Sequence, residues 1–185
     1  MRMAQHALVL GDGDGRFTAA LLEANATVTV DAVDASGAML KALLKRAGQH
    51  AKRVQIHQMD MRTWKPGTVR YDLIASHFFL DCFTTDEVED LAGQVAIATC
   101  PGALWAISDF HVPAGVYGQI IARPLVAALY RAFGLLTGLG VRSLPHHGLA
   151  LARSGFALGA RRCFLGGLLV AEGWRAHGLS PQQIP

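Results

Sequence analysis

The segment Gly11-Asp12-Gly13-Asp14-Gly15 alternates glycine with aspartate directly after a short apolar run. Glycines so spaced let the backbone turn sharply and lie close against a ligand before a helix begins. The plainer reading is a turn that packs strand on helix. Asp34 follows 19 residues beyond Gly15, where a carboxylate can accept two hydrogen bonds from the vicinal hydroxyls of a ribose. That spacing strengthens the ligand reading of the loop. Asp60, in Gln58-Met59-Asp60-Met61, is either an ordinary loop acid or an acceptor for an exocyclic amine, with a methionine packed on the ring. Ser76-His77-Phe78-Phe79-Leu80-Asp81 sets hydroxyl, imidazole and carboxylate beside two aromatic rings, a set suited to proton transfer. His77 is equally a residue that could cap a strand end by hydrogen bonding. Asp31 reads as a solvent-facing strand acid, and His146-His147 as a surface turn before a helix.

Those residues fall at the ends of an alternating series of elements. Ala7–Leu10 is apolar and predicts a strand, and the spacing of Phe17, Ala20, Leu21 and Ala24 predicts a helix over Arg16–Ala24. Thr27–Val33 is rich in β-branched residues, and Ser36–Ala47 carries Met39, Leu40, Leu43 and Leu44 on one side. Val54–Gln58 and Tyr71–Ser76 read as strands three and four, Glu87–Ala98 as a helix and Ala103–Ser108 as strand five. A long apolar helical stretch follows, roughly Gly118–Leu136, then a short helix over His147–Ser154. Strands Ala157–Phe164 and Leu168–Gly173 close the series, joined by Gly166-Gly167, a tight-hairpin signal. The expectation is an α/β fold with a Rossmann-like, doubly wound sheet of about seven strands, mostly parallel with a C-terminal antiparallel hairpin. Such sheets bind ligands outside the carboxyl ends of their strands, where these polar segments lie.

With 185 residues, 51% of them hydrophobic, the chain is long enough for one core and short for two, so one domain over residues 1–185 is expected. It is too apolar to be intrinsically disordered. Lys and Arg number 17 against 14 Asp and Glu, a net charge of +3 from dispersed residues, which leaves no basic stripe for nucleic acid. Cys82, Cys100 and Cys163 form no CxxC pair and read as reduced, buried residues of a cytoplasmic protein, with no metal site. The apolar run before Gly11 is too short for a signal peptide, and Pro101-Gly102 breaks the uncharged stretch from Leu91 to Ser108, so no membrane span is expected.

Together these residues resemble the class I S-adenosylmethionine-dependent methyltransferases. The resemblance is carried by the Gly11, Gly13 and Gly15 loop, by Asp34-Ala35-Ser36 with Met39 as the family's D-x-S-x-x-M segment, by Asp60, and by Tyr71-Asp72-Leu73-Ile74 opening the fourth strand. The Gly166-Gly167 hairpin is also similar to the family's last two strands, so nearly the whole chain is covered. The resemblance implies S-adenosylmethionine as cofactor, with Gly11, Asp12, Gly13 and Gly15 beside the methionine moiety. It implies Asp34, with Ala35 and Met39, at the ribose, Asp60 and Met61 at the adenine, and backbone groups near Ser76 and His77 completing the cradle. The family often has an acid two positions before the first glycine; Val9 stands there, which leaves the cofactor's ammonium to Asp12 or Asp14 through water. The usual N-terminal cover helices are expected to be missing, because six residues precede the first strand. That leaves an open site, one closed by a partner chain, or a misplaced chain start.

The methyl of such a cofactor is already activated, so the protein mainly supplies orientation and a dry approach path. A phenol or enol acceptor benefits from a base, for which His77 comes first, then His111, with Asp81 as an orienting or alternative base. No Asn-Pro-Pro-aromatic segment follows the fourth strand, so nucleic-acid methylation is not expected. Gln119, Arg123 and Arg131 fall on one narrow line of the otherwise apolar 119–136 stretch. That helix is buried, lines an apolar acceptor cavity, or touches a membrane surface or a second copy, burial being the plainest. Asp109-Phe110-His111-Val112-Pro113 and the stretch after it are similar to ubiquinone and menaquinone biosynthesis methyltransferases, which implies a small apolar or aromatic acceptor methylated at oxygen or carbon. Two other functions use the same sheet: a noncatalytic module that binds the cofactor or its demethylated product, and a nicotinamide-dependent oxidoreductase. The latter's fingerprint wants a glycine where Arg16 stands.

Overall fold

The structure is a computed structural model and describes residues 3–116, 118–128 and 144–177. Seven strands, β1 (His6–Leu10), β2 (Thr29–Asp34), β3 (Val54–Gln58), β4 (Tyr71–His77), β5 (Thr99–Phe110), β6 (Phe156–Phe164) and β7 (Leu169–Ala176), form one sheet in the order β3-β2-β1-β4-β5-β7-β6. Strands β1 to β5 are parallel, and β7 runs antiparallel to both its neighbours. The expected architecture is therefore present. The chain goes outward from β1 to β2 and β3, then returns to pair β4 on the other side, so the switch point lies between the carboxyl ends of β1 and β4.

Period-two alternation divides the sheet between two cores. Leu8 and Leu10 join Ile74, Trp105, Ile107 and Trp174, covered by Val88, Leu91 and Val95 of α3 (Thr85–Ile97) and Leu151 of α4 (His147–Arg153). Ala7 and Val9 face the other way, with Val30, Ala32 and Leu73 against Leu21 and Leu22 of α1 (Arg16–Ala24) and Leu40 and Leu43 of α2 (Gly37–Ala47). Helix α3 starts before Glu87 because Thr84 and Glu87 form a reciprocal capping box. Strand β5 continues through Pro101-Gly102 because its register against β4 shifts between Tyr71 and Leu73.

Three expectations about burial are corrected. Asp31 is not solvent-facing: it accepts hydrogen bonds from Tyr71 Oη at 2.8 Å and His57 Nε2 at 2.9 Å, and its side chain is 17% exposed. The cysteines are free but not buried, Cys163 being exposed on the edge strand β6 and the other two half-buried. The apolar 119–136 stretch is not simply core. It begins as a π-helical turn, Gly118–Ala122, and continues helical over 123–128. Ala122 and Val126 pack on Leu168, while Ile120, Ile121 and Leu125 face solvent. Residues 129–136, Arg131 among them, lie outside the described residues. Among the described residues no helix is long and apolar enough to cross a membrane, and no cluster of metal-ligating side chains occurs.

Candidate active site

The glycine loop fills the gap between β1 and α1. Gly15 takes φ +83°, and a Cβ there would lie 2.7 Å from the Leu43 backbone, so the loop seats α1 against α2. Gly13 also has positive φ, yet a Cβ there would meet nothing within 4 Å, so its outer face is open at the switch point. Gly11 N donates to Val33 O, tying the loop to β2. The two loop acids are committed to structure. Asp12 accepts from Phe17 N at 3.2 Å and Thr18 N at 2.8 Å, capping α1. Asp14 pairs with Arg46 at 2.5 Å and Arg16 at 3.5 Å. These bonds occupy both carboxylates in part, so an ammonium contact through water would use their remaining acceptor positions.

Asp34 ends β2 in a half-buried position, where Oδ1 accepts from Ser36 N at 2.8 Å. Its carbonyl accepts from Met59 N at 3.1 Å, which sets Met59 beside it. Among the described residues no cation pairs with the Asp34 carboxylate. Ala35 and Met39 are exposed at the start of α2, which Ser36 caps through Met39 N. Asp60 is exposed and already accepts from Arg62, at 2.9 Å from the amide and 3.1 Å from the guanidinium. Met61 is corrected: the short helical turn it opens carries its side chain into the core beside Trp64, at 4% exposure, whereas Met59 is 37% exposed.

At the end of β4 the Ser76 hydroxyl is buried and accepts from Trp105 Nε1 at 3.0 Å, so its side chain braces β5 instead of facing the cradle. His77 packs on Phe17 with ring centroids 4.6 Å apart, and its Nε2 is buried without a hydrogen-bond partner among the described residues. Burial holds this imidazole below its usual pKa, with Asp12 opposing, so the ring is neutral near pH 7. Phe78 adopts φ +51°, a left-handed conformation unusual for a bulky residue, and its ring meets Phe110 at 5.2 Å. Asp81 turns toward Asp109, whose Oδ2 accepts from Asp81 N at 3.2 Å. Asp109 is 2% exposed, and burial together with the Asp81 charge raises its carboxyl to about 8. Burial raises Asp81 as well.

Beyond Phe110 lies a cavity of about 560 Å³ whose wall includes His111, Val112, Gln119, Arg123, Val126 and Leu144. A second lobe of about 380 Å³ adjoins it through His111, Pro145, His146 and His147. His111 Nδ1 lies 3.0 Å from Gly167 O. A carbonyl can only accept, so the proton sits on Nδ1 and leaves Nε2 as an acceptor in the neutral ring. His147 is the residue sequence reasoning misplaced. Its side chain is 12% exposed, and Nε2 donates to Glu172 Oε2 at 3.1 Å. Glu172 is buried, also bonded by Trp174 Nε1 and Arg161, and is the first acid after Asp109 in the chain. That isolation among apolar residues was the signal available in the sequence.

A sheet with one antiparallel strand inserted at its end, and a glycine loop beside a β2 carboxylate at the switch point, define the class I S-adenosylmethionine-dependent methyltransferase fold. Dinucleotide-binding sheets instead run 3-2-1-4-5-6. A family model described as "Methyltransferase domain" matches residues 7–102, more than half of the chain, and the chain belongs to this family. Solved structures with this fold include mitomycin 7-O-methyltransferase MmcR, at 18% identity and TM-score 0.74, with 95% of this chain and 50% of that one covered. An O-methyltransferase family protein from Burkholderia thailandensis matches at 19% identity and TM-score 0.67, with coverages of 95% and 52%. The O-methyltransferase NcsB1 of neocarzinostatin biosynthesis, solved with S-adenosylmethionine and 2-hydroxy-5-methyl naphthoic acid, matches at 16% identity and TM-score 0.66, with coverages of 93% and 49%. The chain thus spans about half the length of these structures. A comparison with curated proteins finds no match.

Proposed function

We propose that the chain transfers a methyl group from S-adenosylmethionine to an oxygen or carbon of a small, apolar or aromatic acceptor. The observation that carries this reading is the open face of Gly13 at the switch point, on the loop tied to the strand that Asp34 ends. When bound, S-adenosylmethionine supplies an electrophilic methyl on a sulfonium whose sulfur is the leaving group. In this proposal the Gly11–Gly15 loop carries the methionine moiety, Asp34 holds the ribose hydroxyls, and Met39 and Met59 offer thioether faces to the adenine. Asp60 reaches the exocyclic amine only by sharing its carboxylate with Arg62.

The acceptor would lie in the cavity beyond Phe110, whose walls would orient its attacking atom toward the methyl that a bound S-adenosylmethionine would supply. The proton released by a phenol or enol goes to an imidazole nitrogen, from His77 at the end of β4 or His111 on the cavity wall, with Asp81 as the alternative base. Walls formed by Val112, Val126 and Leu144 favour an apolar acceptor body. NcsB1, solved with an aromatic hydroxy acid, supports an aromatic acceptor by analogy of fold.

The described residues act in this proposal as one methyltransferase domain, and the exposed Ile120, Ile121 and Leu125 rest on a second copy or a membrane surface. Three free cysteines support a cytoplasmic setting. Calorimetry with S-adenosylmethionine, S-adenosylhomocysteine and NAD in parallel tests the reading. Micromolar binding of the two sulfur ligands alone, with S-adenosylhomocysteine released when phenolic acceptors are added, is expected. Binding of NAD alone overturns the cofactor assignment, and binding without turnover across acceptor panels marks a noncatalytic module.

A further inference from the structure

Between Asp109 and Glu172 the chain contains no Asp, Glu or Lys, but six arginines, Arg123, Arg131, Arg142, Arg153, Arg161 and Arg162. A chain of net charge +3 therefore carries all its excess positive charge in this segment, of whose described residues Gln119, Arg123 and Val126 line the acceptor cavity, and the remainder is net acidic. Gln119 and Arg123, one turn apart, line the cavity and are accessible from solvent, as are Ile120, Ile121 and Leu125. Among the described residues, the cavity wall that holds Arg123 contains no acid, and no carboxylate pairs with its guanidinium. Glu172, in the adjoining lobe, is already matched by Arg161 at 2.8 Å and His147 at 3.1 Å.

We infer that the acceptor is a small apolar acid whose carboxylate is gripped by Arg123, with Gln119 beside it. A planar guanidinium presents paired N–H donors that match a carboxylate bidentately, which a lysine cannot do. The apolar walls and His111 Nε2, the nitrogen not bonded to Gly167, then receive the rest of the molecule. This inference rests on the cavity's role as acceptor site. The Arg123 charge also draws anions toward the cavity, so association weakens as salt rises.

The test pairs hydroxyarene carboxylates with their carboxamides, neutral and nearly isosteric, and measures binding to the full chain by calorimetry, with S-adenosylhomocysteine titrated separately. At least one acid is expected to bind ten-fold or more tightly than its amide at low salt. Arg123→Gln removes that preference, Arg123→Lys restores it only in part, and Gln119→Glu weakens acids selectively; thermal melts confirm that each variant is folded. Equal binding of acid and amide across the panel, no binding of either, or an acid preference that survives in folded Arg123→Gln overturns the inference. So does capture of phosphatidylglycerol vesicles, in place of the small acids, through Arg123. Loss of S-adenosylhomocysteine binding with the acid preference intact sinks the methyltransferase reading and leaves the anion site standing.

Discussion

His147 and Glu172, 25 residues apart in the chain, meet at 3.1 Å across the junction of α4 and β7. Burial works against the Glu172 charge, but hydrogen bonds from His147 and Trp174 outweigh it and hold the carboxyl below its usual range. Glu172→Ala leaves His147, Trp174 and Arg161 without their acceptor. The expected loss is about 3–5 kcal/mol of stability, readable in urea melts. Because the folded pKa is depressed, this stabilisation is complete above the unfolded value of about 4.3 and disappears as pH falls through the folded one.

Gly13 and Gly15 separate binding from folding. Gly15→Ala puts a methyl into the Leu43 backbone at positive φ and is expected to cost about 2–5 kcal/mol of stability. Gly13→Ala meets no protein atom, costs about 1–2 kcal/mol in conformation, and weakens S-adenosylmethionine binding about ten-fold or more by filling the cradle. Thermal melts and calorimetry on both variants distinguish the two effects. Equal affinity in wild type and Gly13→Ala places the ligand elsewhere.

Asp34→Ala removes a charged, two-point contact to the ribose, an expected loss of about 2–3 kcal/mol of cofactor binding with little change in melting temperature. Unchanged affinity removes the ribose assignment.

His77→Asn should leave cofactor affinity nearly intact and slow turnover, because Nε2 has no structural bond to lose. The acid limb of the wild-type rate should lie below the pH at which an exposed histidine titrates, since burial lowers the imidazole pKa. Parallel losses in binding and turnover would make the residue structural.

Asp109 gives the opposite pH sign from Glu172. The folded protein holds its proton up to about 8, while the unfolded chain releases it near about 3.9, so stability falls as pH rises through that interval. Asp109→Asn, which faces the Asp81 carboxylate and the Cys82 thiol without a charge of its own, should flatten the decline. A wild-type stability curve level from pH 4 to 8 contradicts this.

The parts of the site readable from sequence are those set by local spacing. Asp34 follows its strand and the glycine loop follows β1, and both stand at the switch point as the alternation of elements required. Met61 and Met59 were indistinguishable, because the phase of a three-residue helical turn decides which side chain enters the core. The bracing role of the Ser76 hydroxyl is not legible locally, because its partner, Trp105, comes from a strand 29 residues away. The same non-locality hid Asp31 with Tyr71, and His147 with Glu172. Hydropathy placed Gln119 and Arg123 on one line but could not say whether that line faced inward or outward.

Asp12, by spending its carboxylate on the first amides of α1, makes the loop's shape independent of any ligand. Gly15 N bonds Asp12 O and Gly11 N bonds Val33 O in the same closed set. The cradle therefore exists before a cofactor arrives, and capture requires no ordering of this loop. Arrival should be limited by encounter and not by closure, giving a single fast association phase linear in ligand concentration.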